Sequence, residues 1–172
     1  GTRTSNLPGL FDVDGDGYAE VVAGGSLYSE QGARIWKGES HQGGHIGMGL
    51  PGIGLGVDLD LDGVMEVVAG GTVYSVRGEI LCTQGADGYS AIGDLDGDSE
   101  PEIIVVSSDA SIRFLNANCE LLKGPFYPAG QGLGGGPPAL GDFDADGAME
   151  VAFVASDSAI VVVAGDGTLE WS

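Results

Sequence analysis

Four short segments of the sequence concentrate carboxylates at one fixed spacing. In each segment, acids occupy the first, third, fifth and ninth positions: Asp12, Asp14, Asp16 and Glu20; Asp58, Asp60, Asp62 and Glu66; Asp94, Asp96, Asp98 and Glu102; Asp142, Asp144, Asp146 and Glu150. Carboxylates this close together repel one another in water, and a hard divalent cation with oxygen ligands relieves that repulsion. The spacing therefore predicts four Ca²⁺ sites, one in each segment.

A helix-flanked calcium loop also begins with this pattern, but it needs a glutamate at position 12 and a helix on either side. Position 12 is apolar in every copy here: Ala23, Ala69, Val105 and Phe153. Three copies have a glycine at position 6, where the chain must turn, whereas Ser99 stands there in the third copy. The sequence thus favours loops between β-strands, with the third site the weakest or differently shaped.

The elements that position these segments repeat with them. The segments start at residues 12, 58, 94 and 142, which gives intervals of 46, 36 and 48 residues. Such intervals, with four short β-branched runs per unit and turns rich in Gly, Asp and Asn, are typical of propeller blades. We predict an all-β fold, a β-propeller with four blades of four antiparallel strands. It forms a single domain over residues 1–172, with repeats at about 5–38, 52–84, 88–123 and 136–172.

The order of the predicted strands bears on whether the ring closes. The first strand is an inner one and the last is an outer one, so no strand is left over to interlock the first and last blades. We therefore expect an open half-ring, either part of a seven- or eight-bladed propeller or completed by a second copy into a homodimer with eight blades. A closed four-bladed ring is the alternative.

Composition limits the classes of partner. The chain is 42% hydrophobic and 19% charged, which predicts a folded domain, and its net charge is −20. Of its 26 acids, 16 occupy the four repeated positions of the segments, and the remaining acidity disfavours nucleic acid or an anionic membrane as a partner. No apolar run reaches the roughly 18 residues of a membrane span, so we expect no membrane insertion, with any export signal lying outside this segment.

The two cysteines lie on different predicted repeats. Cys82 and Cys119 are placed near opposite ends of their strands, so their Cα atoms are not expected within the roughly 7 Å that a disulfide requires. Two separate buried thiols are the expected arrangement. A disulfide in an extracellular protein is the alternative.

Aromatic and polar residues on the connections between repeats form a second group of candidates. They could form a recognition surface for a protein or glycan ligand, or they could cover the ends of the core: His45, Tyr89, Phe126, Tyr127 and Gln131. His41 and His45 lie in a glycine-rich connection without a third ligand, which favours a surface or packing role. The sequence shows no catalytic constellation, so an enzyme is not expected.

The acidic pattern, the Glu-Val-Val-Ala-Gly-Gly strand after it, and outer strands ending in Trp36 or Trp171 resemble the FG-GAP and VCBS repeats of calcium-binding β-propellers. The integrin α-subunit head is the best-known member. The resemblance implies that the backbone carbonyl at position 7 joins the four acids on Ca²⁺: Tyr18, Val64, Glu100 and Ala148. No repeat keeps both the Phe-Gly and the Gly-Ala-Pro sequences of the family, so integrin-type ligand binding is not implied.

The expected function is therefore that of a calcium-binding module in a secreted or cell-surface protein, with loops presented for adhesion to a protein or glycan. Two alternatives remain open. The chain could be a fragment of a calcium-dependent propeller enzyme, such as a polysaccharide lyase, or a purely structural array of repeats.

Overall fold

The computed structural model describes residues 6–44, 50–132, 134–155 and 159–172. These residues form 16 β-strands and no helix, in four antiparallel sheets of four strands each. The all-β class and the number of sheets and strands are confirmed. Since there is no helix among the described residues, there is also none long and apolar enough to cross a membrane.

Each sheet is a meander whose strands follow one another in chain order. Sheet 1 contains β1 Pro8–Phe11, β2 Glu20–Ala23, β3 Ser26–Tyr28 and β4 Arg34–Lys37. Sheet 2 contains β5 Leu55–Val57, β6 Glu66–Ala69, β7 Thr72–Tyr74 and β8 Ile80–Thr83. Sheet 3 contains β9 Gly88–Gly93, β10 Glu102–Ser107, β11 Ile112–Leu115 and β12 Leu121–Phe126. Sheet 4 contains β13 Ala139–Gly141, β14 Glu150–Val154, β15 Ile160–Ala164 and β16 Leu169–Trp171.

The core lies between consecutive sheets. Three clusters of buried side chains join sheet 1 to sheet 2, sheet 2 to sheet 3, and sheet 3 to sheet 4. Because side chains alternate across a strand, the middle strands of the inner sheets contribute to two clusters each. In β6, for example, Val67 packs with the sheet 1 cluster and Val68 with the sheet 3 cluster, and both are fully buried. This two-sided burial explains why β6 is apolar after Glu66 and why β10 is apolar from Ile103 to Val106.

The prediction of two separate thiols is wrong, because Cys82 and Cys119 form a disulfide. Their Cα atoms are 5.7 Å apart. Cys82 lies on β8 of sheet 2 and Cys119 ends the turn before β12 of sheet 3. When the sheets stack face to face, the outer strand of one sheet passes beside that turn of the next sheet. The prediction considered the position of each cysteine within its own repeat, and such positions do not show which residues meet between neighbouring sheets.

Candidate metal centres

The four acidic segments are the loops between the first and second strands of each sheet, all at the same edge of the stack. Each loop is closed by the same three hydrogen bonds between backbone amides and its own aspartates. In loop 4, Gly147 N donates to Asp142 Oδ2 at 3.1 Å, Asp146 N donates to Asp144 Oδ1 at 3.0 Å, and Ala148 N donates to Asp146 Oδ1 at 2.8 Å. The equivalent bonds in the other three loops are 2.8 to 3.3 Å long. These bonds hold the aspartates in one arrangement, so the repeat in sequence becomes a repeat in geometry.

The glutamate at position 9 begins the second strand and points back under its loop. Glu20, Glu66, Glu102 and Glu150 are all buried, with Glu150 only 1% exposed. One carboxylate oxygen of each accepts a hydrogen bond from the amide at position 2 of the loop: Val13, Leu59, Leu95 and Phe143, at 2.6 to 3.0 Å. A buried carboxylate needs such a partner. The bond fixes the glutamate and leaves its second oxygen for another ligand.

Burial raises the pKa of Glu66 and Glu102 above its usual value, and the aspartates of the same loop raise it further. The hydrogen bond from the position 2 amide acts in the opposite direction. The loops therefore hold negative charge at an energetic cost in the absence of a counter-ion.

In every loop, at least three carboxylates have oxygen atoms within 4.8 Å of one another. Loop 4 brings all four predicted acids together, Asp142, Asp144, Asp146 and Glu150. The other groups are Asp12, Asp14 and Glu20 in loop 1; Asp58, Asp60 and Asp62 in loop 2; and Asp94, Asp96 and Glu102 in loop 3. Asp16, Glu66 and Asp98 lie outside these groups.

One atom tests whether a cation fits. Asp12 Oδ1 is buried and has no hydrogen-bond partner among the described residues. An unpaired buried carboxylate oxygen is unfavourable, and a cation bound in loop 1 would supply its missing partner. Carboxylate oxygens are also the ligands preferred by Ca²⁺ and Mg²⁺. The residues therefore fit a hard divalent cation, while the part predicted for the carbonyls of Tyr18, Val64, Glu100 and Ala148 stays a prediction.

Sequence reasoning missed the backbone conformation at position 4 of the loops. Leu61 and Ala145 have φ of 60° and 64°, a left-handed conformation that glycine normally adopts and that Gly15 and Gly97 take in the other loops. At position 6, Ser99 takes φ of 74°, close to the 90° to 94° of the three glycines, and its amide still donates to Asp94. The third loop thus keeps the common path despite its serine.

The predicted recognition residues differ in their exposure. Tyr89 is 5% exposed, and Phe126 packs against Phe114 with ring centroids 6.3 Å apart. Tyr127 is half-buried and donates from its hydroxyl to Asp109 at 3.3 Å, while Gln131 is exposed. His45 lies outside the described residues. Ligand binding by any of them stays a prediction.

Two aspartates at the opposite edge of the stack were not singled out by the sequence. Asp87 accepts hydrogen bonds from the amides of residues 42, 43, 44 and 88, and so fixes the connection from sheet 1 to the start of β9. Asp109 accepts from Ser111 and Tyr127. Although burial acts to raise the pKa of Asp109, these bonds and the nearby Arg113 hold it below its usual value. The only signal in the sequence was an acid next to turn residues.

The fold and the loops define an all-β protein of four stacked sheets with acidic loops at one edge. No protein family and no curated protein matches the sequence. The chain is similar to the solved structure of the V. cholerae biofilm matrix protein Bap1, with a TM-score of 0.63 and 16% identity over 95% of this chain and 41% of that protein. It is also similar to the rhamnogalacturonan lyase YesW, with a TM-score of 0.65 and 19% identity over 96% of this chain and 30% of that enzyme. The chain spans less than half the length of either, and at these identities the likeness concerns the fold.

Proposed function

We propose that the chain is a calcium-stabilised β-propeller module, of the type built from FG-GAP or VCBS repeats, in an extracellular or cell-surface protein. The observation that carries this proposal is the fourfold recurrence of one loop, with the same hydrogen bonds and a buried glutamate beneath each group of aspartates. The repeat limits given above and a single domain over residues 1–172 belong to the proposal.

In each loop, the acids at positions 1, 3, 5 and 9 would hold one Ca²⁺. The ion would supply positive charge that offsets the repulsion between the carboxylates and ties the first strand of the sheet to the second. The chain itself provides the fixed frame. Backbone amides orient the aspartates, and the glutamate shields the site from the core side. Calcium therefore acts as a structural element in this proposal, not as a reagent.

An extracellular location is supported by the disulfide, because such bonds persist in oxidising compartments and are rare in the cytosol. The likeness to a biofilm matrix protein points in the same direction. In such a setting, a rigid stack would present the loops and connections at its two edges to a protein or glycan ligand. Phe126, Tyr127 and Gln131 are the candidates that retain exposed surface among the described residues.

The likeness to a rhamnogalacturonan lyase supports an alternative, in which the chain is part of a polysaccharide-cleaving enzyme. A lyase needs a base that can accept a proton from its substrate. Two charged groups at the edge opposite the metal loops are each paired with hydroxyl groups: Arg113 Nη1 donates to Ser107 and Ser111 at 2.9 Å, and Asp109 accepts from Ser111 and Tyr127. This pairing favours a structural role for these groups.

Calorimetric titration of the metal-free protein with Ca²⁺ tests the proposal. We expect binding of about four ions, one per loop. Asp142→Asn should remove one of these sites, because it takes the first ligand from loop 4, and Glu79→Gln should leave all of them, because Glu79 is an exposed acid outside the loops. Absence of binding at millimolar Ca²⁺, or equal effects of the two substitutions, would contradict the proposal.

A further inference from the structure

Three of the four outer strands contact the next sheet through one equivalent residue. Each of these residues pairs with the third strand of its own sheet at the same register position. The pairs are Trp36 with Leu27, Cys82 with Val73, and Lys123 with Phe114. In each case the outer strand has a register irregularity next to this pair. All three reach the same place in the turn before the outer strand of the next sheet. Trp36 Nε1 donates to Val76 O at 2.9 Å, Cys82 Sγ lies 3.6 Å from Ala117 O, and Lys123 Nζ donates to Gly165 O at 2.9 Å. We call these residues and their equivalent in sheet 4 the clamp residues.

The fourth clamp residue is Trp171. It lies opposite Val162 in β15, at the register of the other three. Since Val161 and Val163 pack against sheet 3, Val162 and Trp171 lie on the other face of sheet 4. Val162 is buried there, but Trp171 is 53% exposed and Ile160 is 56% exposed. Trp171 therefore lies on the face of sheet 4 that no other described sheet covers.

The contact between Trp36 and sheet 2 shows which residues a clamp tryptophan packs against. Trp36 packs on Tyr74 with ring centroids 5.5 Å apart. It also lies over Gly78, where an added Cβ would come within 2.6 Å of the indole. The receiving features are therefore a tyrosine at the end of the third strand, a glycine in the following turn, and a backbone carbonyl two residues before that glycine.

Sheet 1 carries the same features on its open face. Tyr28 and Gly32 occupy the positions of Tyr74 and Gly78, and both glycines have φ of 81°. A Cβ at Gly32 would meet no atom of the described residues within 4 Å, so the place that Trp36 fills in sheet 2 is open here. A hollow of about 410 Å³ lies at this place, lined by Asn6, Val21, Ala23, Tyr28 and Gly32.

We propose that Trp171 of one copy of the chain docks into this hollow on sheet 1 of a second copy, packing on Tyr28 and donating its indole N–H to the carbonyl of Glu30. The occupant is a second copy because sheets 4 and 1 of this chain carry the two halves of an interface that already forms between sheets 1 and 2. The contact is head-to-tail, so two copies can close a ring of eight sheets. It goes beyond the proposed function and does not depend on it, because none of its residues lies in a metal loop.

The chain itself provides the test, since a cysteine pair already occupies these two positions between sheets 2 and 3. Cys82 is a clamp residue, and Cys119 takes the place of the turn glycine with φ of 59°. We would prepare Trp171→Cys and Gly32→Cys as separate proteins and oxidise each alone and in a mixture. With each protein at about 10 μM, docking raises the effective concentration of the thiol pair to about 1 mM, so the mixture should form a covalent heterodimer roughly a hundredfold faster than either protein forms a homodimer. Equal rates in the three samples would overturn the proposal.

Light scattering on the unmodified chain gives a second readout. At about 50 μM the expected mass is twice that of the 17.3 kDa chain, since a specific interface with a buried tryptophan commonly binds in the micromolar range or tighter. Trp171→Ala should be monomeric, and Leu81→Ala, which removes a side chain 55% exposed in β8 and outside the metal loops, should remain dimeric. A monomeric parent chain would overturn the proposal. So would an internal disulfide within single chains of the variant that combines both cysteines, because sheet 4 would then dock on its own sheet 1.

Discussion

Sheets 1 and 2 have nearly the same sequence along their two middle strands but differ in burial. Residues 20–29 read Glu-Val-Val-Ala-Gly-Gly-Ser-Leu-Tyr-Ser, and residues 66–75 read Glu-Val-Val-Ala-Gly-Gly-Thr-Val-Tyr-Ser. Val67, Ala69 and Tyr74 are fully buried, whereas their equivalents in sheet 1 are only partly buried. The difference arises because sheet 2 has a neighbour on both faces, while among the described residues sheet 1 has one on a single face.

Tyr74 shows what a neighbour adds. Trp36 covers its ring, its hydroxyl donates to the carbonyl of His41 at 2.9 Å, and the amide of Ser40 donates to that hydroxyl at 3.0 Å. Tyr28 has the same sequence context and lies in an open hollow. Tyr28 and Tyr74 have the same local sequence but different neighbours. In a stack of repeats, the contribution of a residue to the free energy of unfolding therefore depends on the sheet that packs against it.

Truncation of the two tyrosines should produce the largest difference between the sheets. Tyr74→Ala removes a buried ring and leaves a cavity, so we expect a loss of about 3 to 5 kcal/mol in the free energy of unfolding. Tyr28→Ala should cost less than about 1 kcal/mol, since a half-buried ring leaves no comparable cavity. Urea unfolding in dilute solution, where copies of the chain do not associate, measures both. Similar losses would show that the two sheets are not distinguished by their neighbours.

The interface between sheets 2 and 3 contains a disulfide at the same place. Cys82 and Cys119 occupy the positions that Trp36 and Gly78 occupy between sheets 1 and 2. Replacing both cysteines by alanine should cost about 3 to 4 kcal/mol, because the bond closes a loop of 37 residues in the unfolded chain. Urea unfolding of the double variant beside the oxidised parent protein checks this value. An unchanged free energy would mean that apolar packing alone holds these two sheets together.

A smaller effect is expected from the connection that covers Tyr74. Burial lowers the pKa of His41 below its ordinary value of 6.5, although the Asp87 carboxylate opposes this shift. Between the two pKa values, the unfolded chain binds more protons than the folded one. This contribution to stability is therefore complete above pH 6.5 and is lost as pH falls through the folded-state pKa.

The variant His41→Asn tests that contribution through the pH dependence of urea unfolding. The parent protein should lose stability on acidification below pH 6.5, and the variant should lose less over the same interval. Parallel curves for the two proteins would mean that His41 titrates alike in the folded and unfolded states.

Much of this fold could be predicted from the sequence, because the acids, the β-branched runs and the turn residues recur together. The strand after each loop begins at its glutamate, as predicted for Glu20, Glu66, Glu102 and Glu150. Most members of the acid groups also follow from the sequence, since their geometry is set within one loop, but Asp16, Glu66 and Asp98 lie outside the groups. Features that depend on two sheets did not follow from it. The Cys82–Cys119 bond and the packing of the partly buried Phe126 against the cluster between sheets 3 and 4 arise from stacking, which no single repeat encodes.

The central claim is that cations bound in the four loops stabilise the stack, and thermal unfolding with and without Ca²⁺ tests it most directly. Protein in millimolar Ca²⁺ should melt well above the same protein in excess chelator. A ligand at 100 times its Kd stabilises by about 2.7 kcal/mol per site, and the described residues contain four candidate groups. Identical melting temperatures in the two conditions would contradict the claim.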